Sequence, residues 1–178
     1  VLAPAPTLAQ SLSATDGFDP DVDGNVYAVA LQPDGRLVVA GQFSSIGGAA
    51  RSNLARLNLD GSVDAAFNPG ANGAVRALLI QRDGRIVFGG DFTTLQPGGT
   101  GATTVRNRLA RLNSDGTLDA TFNPNVGGQL QPQVHALLLQ ADGRIVAGGS
   151  FTTTQPNGAT TPTTRNYLAR FNADGSLD

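Results

Sequence analysis

The residues with the clearest potential for chemistry lie near the start of the chain, where three aspartates alternate with other residues. Asp19, Asp21 and Asp23 are followed by Gly24, and this spacing matches the beginning of an EF-hand calcium loop. Their carboxylates, together with the backbone carbonyl of Asn25, would supply the oxygen ligands that Ca²⁺ prefers. Calcium at these four residues is the one cofactor that the sequence suggests.

Two features of the same stretch weaken the calcium hypothesis. An EF-hand loop needs a bidentate carboxylate at its twelfth position, and counting from Asp19 that position is Ala30, inside a predicted strand. The equivalent segments later in the chain carry Asn, Gly or Gln in place of Asp21 and Asp23. We therefore expect solvated turn residues first and a weak calcium site second.

The supply of other catalytic side chains is small. The 178 residues contain no Cys, every basic residue is Arg, every acidic residue is Asp, and His135 is the single histidine. A thiolate nucleophile, a disulfide and a cysteine-ligated zinc are thereby excluded. The net charge of −2 argues against a nucleic-acid partner, and no apolar run approaches the length of a membrane span.

The chain contains three copies of one motif, which begin at Val26, Val75 and Val134. The copies read "VYAVALQPDGRLVVAGQF", "VRALLIQRDGRIVFGGDF" and "VHALLLQADGRIVAGGSF", and each is followed by a variable loop and a second motif of the form "LARLNxDGxxD". The copies begin 49 and 59 residues apart. This spacing is around that of propeller blades and longer than that of leucine-rich repeats.

Within each copy the pattern predicts two hairpins in series. β-rich runs are joined by Asp-Gly turns, and no segment has helical periodicity. We therefore predict an all-β fold, a β-propeller of four-stranded antiparallel blades with three blade repeats, at about 26–69, 75–124 and 134–178. A β-helix is the main alternative, but its coils are usually shorter and lack paired Asp-Gly hairpins.

The pattern "ALxxQxDGRIxxGGxF … RNxLARLNxDGSLDxxFNP" resembles the delta-60 repeats of bacterial β-propeller proteins. The resemblance covers about residues 18–178. It implies a propeller in a secreted or cell-surface protein and implies no defined activity. Residues 1–13 are interpreted as an N-terminal tail or the remnant of a secretory signal.

The stretch "FDPDVDGNV" occupies the place of "FNPGANGAV" and "FNPNVGGQLQPQV" before the later copies, and the third copy stops at Asp178, before such a strand. Residues 18–23 are therefore predicted to be a closing strand. Three blades are too few for a ring, since propellers have about four to eight. We expect either a head-to-tail homodimer that forms a six-bladed ring or neighbouring blades in a longer chain.

Two sets of residues are candidates for ligand binding. Tyr27, Arg76 and His135 hold the second position of each first strand, which is usually innermost, so they are predicted to face the central channel. They differ between copies, as a ligand site requires, although an unconstrained rim position would vary too.

The second set, Arg51, Arg106 and Arg165, ends the variable loops. These arginines could bind an acidic or sugar ligand, but anchoring of the loop to backbone carbonyls is favoured. A third set of repeated residues is predicted to form structural ion pairs: Arg56, Arg111 and Arg170 with Asp64, Asp119 and Asp178.

Taken together, the residues favour a binding or structural scaffold without catalysis, in a secreted or cell-surface bacterial protein. The expected partner is a protein or a glycan, contacted by the loops and by side chains that face the channel. A hydrolase or lyase that uses Asp and Arg in the channel, with His135 if it faces inward, is the alternative. A calcium-stabilised adhesion module is a further one.

Overall fold

The structure is a computed structural model, and it describes residues 18–99, 101–129 and 131–178. The predicted tail at residues 1–13 lies outside the described residues. In the described part all regular elements are strands, apart from the short 3₁₀ helices Pro97–Gly99 and Pro156–Gly158. Among these residues no helix has the length and apolar character needed to cross a bilayer. The predicted all-β fold is confirmed.

The strands follow the three sequence copies, so that each copy is one structural repeat. The first repeat contains β1 Asn25–Leu31, β2 Leu37–Gln42, β3 Ser45–Ile46, β4 Ala49–Ala50 and β5 Leu54–Leu57. The second contains β6 Val75–Ile80, β7 Ile86–Gly90, β8 Thr94–Leu95, β9 Thr104–Val105 and β10 Leu109–Leu112. The third contains β11 Val126–Gly127, β12 Val134–Leu139, β13 Ile145–Gly149, β14 Thr153–Thr154, β15 Thr163–Thr164 and β16 Leu168–Phe171.

Each repeat is built on one three-stranded antiparallel sheet. The strand orders are β1-β2-β5, β6-β7-β10 and β12-β13-β16. The Asp-Gly turns close the first hairpins as predicted, because Gly35, Gly84 and Gly143 adopt φ values of 85°, 80° and 86°. An L-residue with a Cβ rarely adopts this conformation, so glycine is favoured at each of the three turns.

The predicted fourth strand of each blade is not a strand in the structure. It is reduced to one bridged residue: Val63 to Leu57, Leu118 to Leu112, and Leu177 to Phe171. The cause is local, because the Asp64 carboxylate accepts the backbone N–H of Ala66 at 3.0 Å and the chain turns immediately after the bridge. The four-stranded blade of the sequence prediction is therefore a three-stranded sheet with a single additional bridge.

A second, smaller hairpin lies beside each sheet and was not predicted. The variable loops form β3-β4, β8-β9 and β14-β15. The segment before the first strand of each three-stranded sheet pairs with this hairpin, through Val22 to Ile46, Ala71 to Leu95, and β11 to β14. Residues 18–23, which were predicted to close another blade, thus contact the hairpin of their own repeat.

The apolar core lies between consecutive sheets, as expected when sheets stack face to face. One buried cluster joins the first repeat to the second and includes Val38, Phe67, Val75 and Phe88. A second cluster joins the second repeat to the third in the same way. Stacking of the repeats, more than any single sheet, therefore buries the apolar side chains.

Candidate functional site

Tyr27, Arg76 and His135 share a structural feature that the sequence did not reveal. The register of each inner hairpin shifts at this position, between Val26 and Ala28 in the first repeat and at the equivalent places in the other two. Each of the three residues is therefore the extra residue of a β-bulge. A bulge bends the strand and redirects the side chain of the unpaired residue, and bulges are common beside binding sites.

Glycine is required opposite each bulge because the backbones approach closely. A Cβ on Gly41 would lie 1.9 Å from the carbonyl oxygen of Asn25, and one on Gly90 would lie 2.0 Å from that of Ala74. Gly149 has the same relation to Gln133, also at 2.0 Å. The glycine at this place, which all three repeats share, thus makes the bulge possible, while the bulge residue itself is free to vary.

The bulge residues of the first two repeats contact each other. The Arg76 guanidinium lies 5.3 Å from the centroid of the Tyr27 ring. It also donates two hydrogen bonds to the Asp91 carboxylate, from Nε and Nη2, each at 2.7 Å. The bond to Asp91 raises the pKa of Arg76 above its ordinary value. The Tyr27 hydroxyl donates to Gln42 at 3.1 Å.

The equivalent positions of the third repeat carry different side chains. His135 is exposed at the third bulge, and Ser150 takes the place that Gln42 and Asp91 have in the first two repeats. We call this set the polar row; its members are Tyr27, Gln42, Arg76, Asp91, His135 and Ser150. The row offers a phenol, an amide, an ion pair, an imidazole and a hydroxyl, all suited to hydrogen bonding.

The loop arginines are placed differently from the polar row. Arg51 is buried and donates to the carbonyls of Ala50 at 2.8 Å and Asp64 at 3.0 Å. Arg106 is buried in the equivalent place, and burial lowers its pKa. Arg165 is more exposed and donates to the Thr164 carbonyl at 2.9 Å. These contacts are those of loop anchoring, the alternative that the sequence favoured.

Asp23 holds the small hairpin of the first repeat. Its carboxylate accepts the backbone N–H groups of Ser44 at 2.8 Å and Ser45 at 2.9 Å, and the Ser44 hydroxyl at 2.5 Å. The Ser44 hydroxyl, followed by the two N–H groups, lowers the pKa of Asp23 to about 2. In the second repeat Asn72 accepts the equivalent N–H groups of Thr93 and Thr94. Asp23 is therefore a repeated structural acceptor.

The remaining candidate calcium ligands lie along one turn. The N–H of Asp21 donates to Asp19 at 3.2 Å, and Asp21 has a φ of 44°. Asn25 is the first residue of β1 and pairs with Gln42. Within residues 18–99, 101–129 and 131–178, no three or more acidic or histidine residues are grouped to hold a metal ion. Calcium binding stays a prediction.

The predicted structural ion pairs are confirmed, and they do more than was predicted. Arg56 pairs with Asp64 at 2.8 Å, stacks on Phe67 with 4.6 Å to the ring centroid, and donates to the Ser114 carbonyl in the next repeat at 2.8 Å. We call this set of contacts the arginine clamp. Because it includes the next repeat, the clamp connects consecutive sheets as well as the strands of its own.

The clamp recurs in the second repeat with the same residue types. Arg111 pairs with Asp119 at 2.9 Å, lies 4.3 Å from the centroid of Phe122 and donates to the Ala173 carbonyl at 2.5 Å. Arg170 pairs with Asp178 in the third repeat. Identical residues in equivalent places identify the clamp as part of the fold.

Antiparallel sheets that repeat along the chain and stack on one another define an all-β repeat protein. The family model described as a domain of unknown function (DUF5122) beta-propeller matches residues 32–67, 81–122 and 140–178, once in each repeat. The matches cover more than half of the chain, so the protein belongs to this β-propeller family. No curated protein matches the chain. The propeller family predicted from the repeated motif is thereby confirmed.

Proposed function

We propose that this chain is a non-catalytic binding or scaffold module that presents the polar row to a protein or glycan partner. One observation supports the proposal most directly: the three repeats share the same backbone arrangement at the bulge but carry different residues there. The bulge and its glycine recur in all three repeats, whereas Tyr27, Arg76 and His135 occupy one position with three different side chains. Residues held by a common backbone but free to differ are suited to recognise an asymmetric ligand.

The chemistry of the polar row favours a ligand that is polar but nearly uncharged. Arg76 and Asp91 neutralise each other in a bidentate pair, so the centre of the row has little net charge. The Tyr27 ring offers an apolar surface beside its hydroxyl, and His135 adds a donor or acceptor. Sugar hydroxyls and peptide amides both match such groups.

The small hairpins supply a second, more variable contact surface. The loops at residues 93–105 and 152–164 are rich in Thr, Gly and Pro, and much of their length is exposed. Exposed loops on a rigid scaffold commonly carry recognition. We propose that they widen the area offered to a large partner at a secreted or cell-surface location.

The alternative function, a hydrolase or lyase in the channel, requires carboxylates that converge on Arg76 or His135. In the described part of the chain, the carboxylate hydrogen-bonded to Arg76 is that of Asp91, and both its oxygens are used. His135 is exposed in the third repeat. The pairing of Arg76 with Asp91 supports binding over general acid–base catalysis by these two residues, because catalysis needs a group free to exchange a proton.

The test of the proposed function is direct binding to immobilised glycans and peptides. We expect the full chain to bind a subset of an oligosaccharide array or a peptide library. Tyr27→Ala and His135→Ala should each weaken that binding by at least about tenfold, as loss of a central contact typically does.

The matched control is Tyr167→Ala, which removes the second tyrosine, an exposed residue outside the polar row. It should leave binding unchanged. Equal losses from all three variants, or binding that survives both changes in the row, would contradict the proposal. Turnover of any bound glycan would favour the hydrolase or lyase instead.

Calcium binding in the first repeat is an alternative that a separate measurement tests. If Ca²⁺ binds at Asp19, Asp21, Asp23 and the Asn25 carbonyl, it stabilises the segment that pairs with the first small hairpin. Because Asp23 already accepts three hydrogen bonds, we expect the melting temperature in Ca²⁺ to equal that in chelator. A rise in Ca²⁺ that is lost in Asp21→Asn would instead establish the calcium-stabilised module.

A further inference from the structure

The outer surfaces of the first and third repeats expose apolar side chains. At the equivalent positions inside the chain, the contacts between repeats bury these side chains. Val26 is 44% exposed in the first repeat, whereas its equivalents Val75 and Val134 are 0% exposed. Leu168 is 62% exposed in the third repeat, whereas its equivalent Leu109 is 0% exposed. Contiguous exposed apolar surface of this kind marks an interaction site.

We name these two surfaces by their direction along the chain. The leading face is the outer surface of the first repeat, formed by Phe18, Val26, Val29, Leu31 and Leu59. The trailing face is the outer surface of the third repeat, formed by Leu138, Val146, Gly148, Leu168 and Arg170. Val146, Leu168 and Arg170 line a shallow depression on this face.

The contact between the second and third repeats shows what each face accepts. Residues in the trailing positions of the second repeat pack in one core cluster with residues in the leading positions of the third. The trailing residues are Leu79, Val87 and Leu109, and the leading residues are Val134, Leu137 and Leu139. Their equivalents on the two outer faces are Leu138, Val146 and Leu168, and Val26, Val29 and Leu31.

The polar groups of the two faces correspond as well. Inside the chain Arg111 donates to the carbonyl of Ala173 in the next repeat at 2.5 Å. Arg170 holds the place of Arg111, and its side chain is 44% exposed although it pairs with Asp178. Leu59 holds the place of Ala173 on the leading face and is 79% exposed. One face thus offers the donor and the other the acceptor of an arginine clamp.

Gly148 provides the space that a leading-face residue would fill. At the equivalent Gly89, an added Cβ would lie 2.4 Å from the Cγ1 atom of Val134, so glycine is needed for the repeats to approach. At Gly148 an added Cβ would meet Leu168 at an ordinary 3.8 Å. The open space at Gly148 corresponds to the space that Val134 fills at Gly89. Val26 is the residue equivalent to Val134.

We propose that a second copy of this chain docks head to tail, with the leading face of one copy on the trailing face of the other. Val26 of the second copy packs on Gly148, and Arg170 donates to the carbonyl of its Leu59. The occupant is a second copy because apolar and polar groups match position by position with a contact already present inside the chain. The inference does not depend on the ligand of the polar row.

The contact is heterologous, so each copy retains one face for another copy. Such contacts close into a ring when the rotation permits and otherwise continue as a filament. Two copies contain six repeats, within the range of about four to eight blades found in propeller rings. The complex would also remove the outer sheet faces from water.

The experiment uses two variants of the full chain that block one face each. Gly148→Val adds a side chain to the trailing face at a position where a Cβ meets no atom closer than 3.8 Å, and Val29→Arg places a charge on the leading face. Val105→Arg is the control, since Val105 is exposed on a small hairpin outside both faces. Masses are measured by light scattering after size exclusion, and circular dichroism and cooperative melting establish that each variant folds.

We expect the unaltered chain and the Val105→Arg control to have at least about twice the 18.2 kDa mass of one chain. Each face variant alone should be a folded monomer. A mixture of the two should form a 1:1 dimer, because the leading face of Gly148→Val and the trailing face of Val29→Arg are both intact.

Two results would overturn the proposal. If either face variant alone forms a dimer, the contact joins like faces and is not head to tail. If the unaltered chain stays monomeric at its highest soluble concentration, a second copy is not the occupant. Residues 1–17, further repeats of a longer chain or a different protein would then be the candidates for covering the two faces.

Discussion

Arg111 and Arg76 lie in the same repeat, and each contacts an aspartate through two guanidinium nitrogens. The two arginines differ in burial and in whether the other repeats share them. Arg111 is buried, and the same residue recurs in the first and third repeats as Arg56 and Arg170. Arg76 is partly exposed, and the other repeats replace it with a tyrosine and a histidine. A residue type that every repeat shares supports the stacking, and a position at which repeats differ is available for recognition.

The largest expected effect tests this difference directly. Arg111→Met leaves Asp119 buried without its partner and the Ala173 carbonyl without its donor, so we expect a loss of about 3–5 kcal/mol in the free energy of unfolding. Arg76→Met breaks a half-exposed pair and should cost about 1 kcal/mol or less. Urea unfolding of the two variants measures both values. Equal losses would show that the arginine clamp and the polar row contribute equally to the free energy of unfolding.

The next effect concerns the glycines beneath the polar row. Gly90→Ala would place a Cβ 2.0 Å from the Ala74 carbonyl oxygen, which forces the bulge to rearrange. We expect a loss of at least about 2 kcal/mol in the free energy of unfolding.

Gly148→Ala, made in the Val29→Arg chain so that the proposed contact between copies is already blocked, is the control for that measurement, because its Cβ meets no atom closer than 3.8 Å. It should change stability by less than about 0.5 kcal/mol. If Gly90→Ala causes no such loss, close backbone approach does not fix the bulge. The backbone beneath the polar row could then change conformation.

The smallest effect is a dependence on acidic pH that comes from Asp23. Its pKa is lowered from 3.8 to about 2 in the folded chain, so its contribution to stability is present above about pH 4. That contribution is lost as the pH falls through about 2. Asp23→Asn should keep the hairpin at neutral pH, as Asn72 does in the second repeat, and should lack this loss.

Melting temperatures between pH 2 and pH 7 compare Asp23→Asn with the unaltered chain. The two curves should differ little at neutral pH, and the unaltered chain should fall below the variant as the pH approaches 2. An unaltered chain with the same pH profile as the variant would show that the carboxylate of Asp23 contributes nothing that an amide cannot.

Much of the fold could be predicted from sequence because its signals are local or repeated. Gly35 and Gly84 mark hairpins within a few residues of their strands, and Arg56 and Asp64 recur together in every copy. The fourth strand was overestimated for a local reason as well. The Asp64 side chain turns the backbone at Ala66, and apolar alternation alone does not reveal such a turn.

The candidate site was predictable only in part. Tyr27, Arg76 and His135 stood out because the residue at this one position differs from repeat to repeat. Their neighbours Gln42 and Asp91 lie 15 residues further along the chain and reach the row through antiparallel pairing. The bulge depends on the register of that pairing, and one sequence gives no direct signal for a shift of a single residue.

The direction of the arginine clamp has a consequence for how the molecule opens. Each clamp reaches forward, from Arg56 and Arg111 to the following repeat, so loss of one repeat removes support from the repeat before it. The second repeat alone contacts a neighbour on both sides within the described chain. In a monomeric chain, such as the Val29→Arg variant, backbone amides of β6, β7 and β10 should therefore exchange with solvent deuterium most slowly, and local opening should begin at the outer repeats.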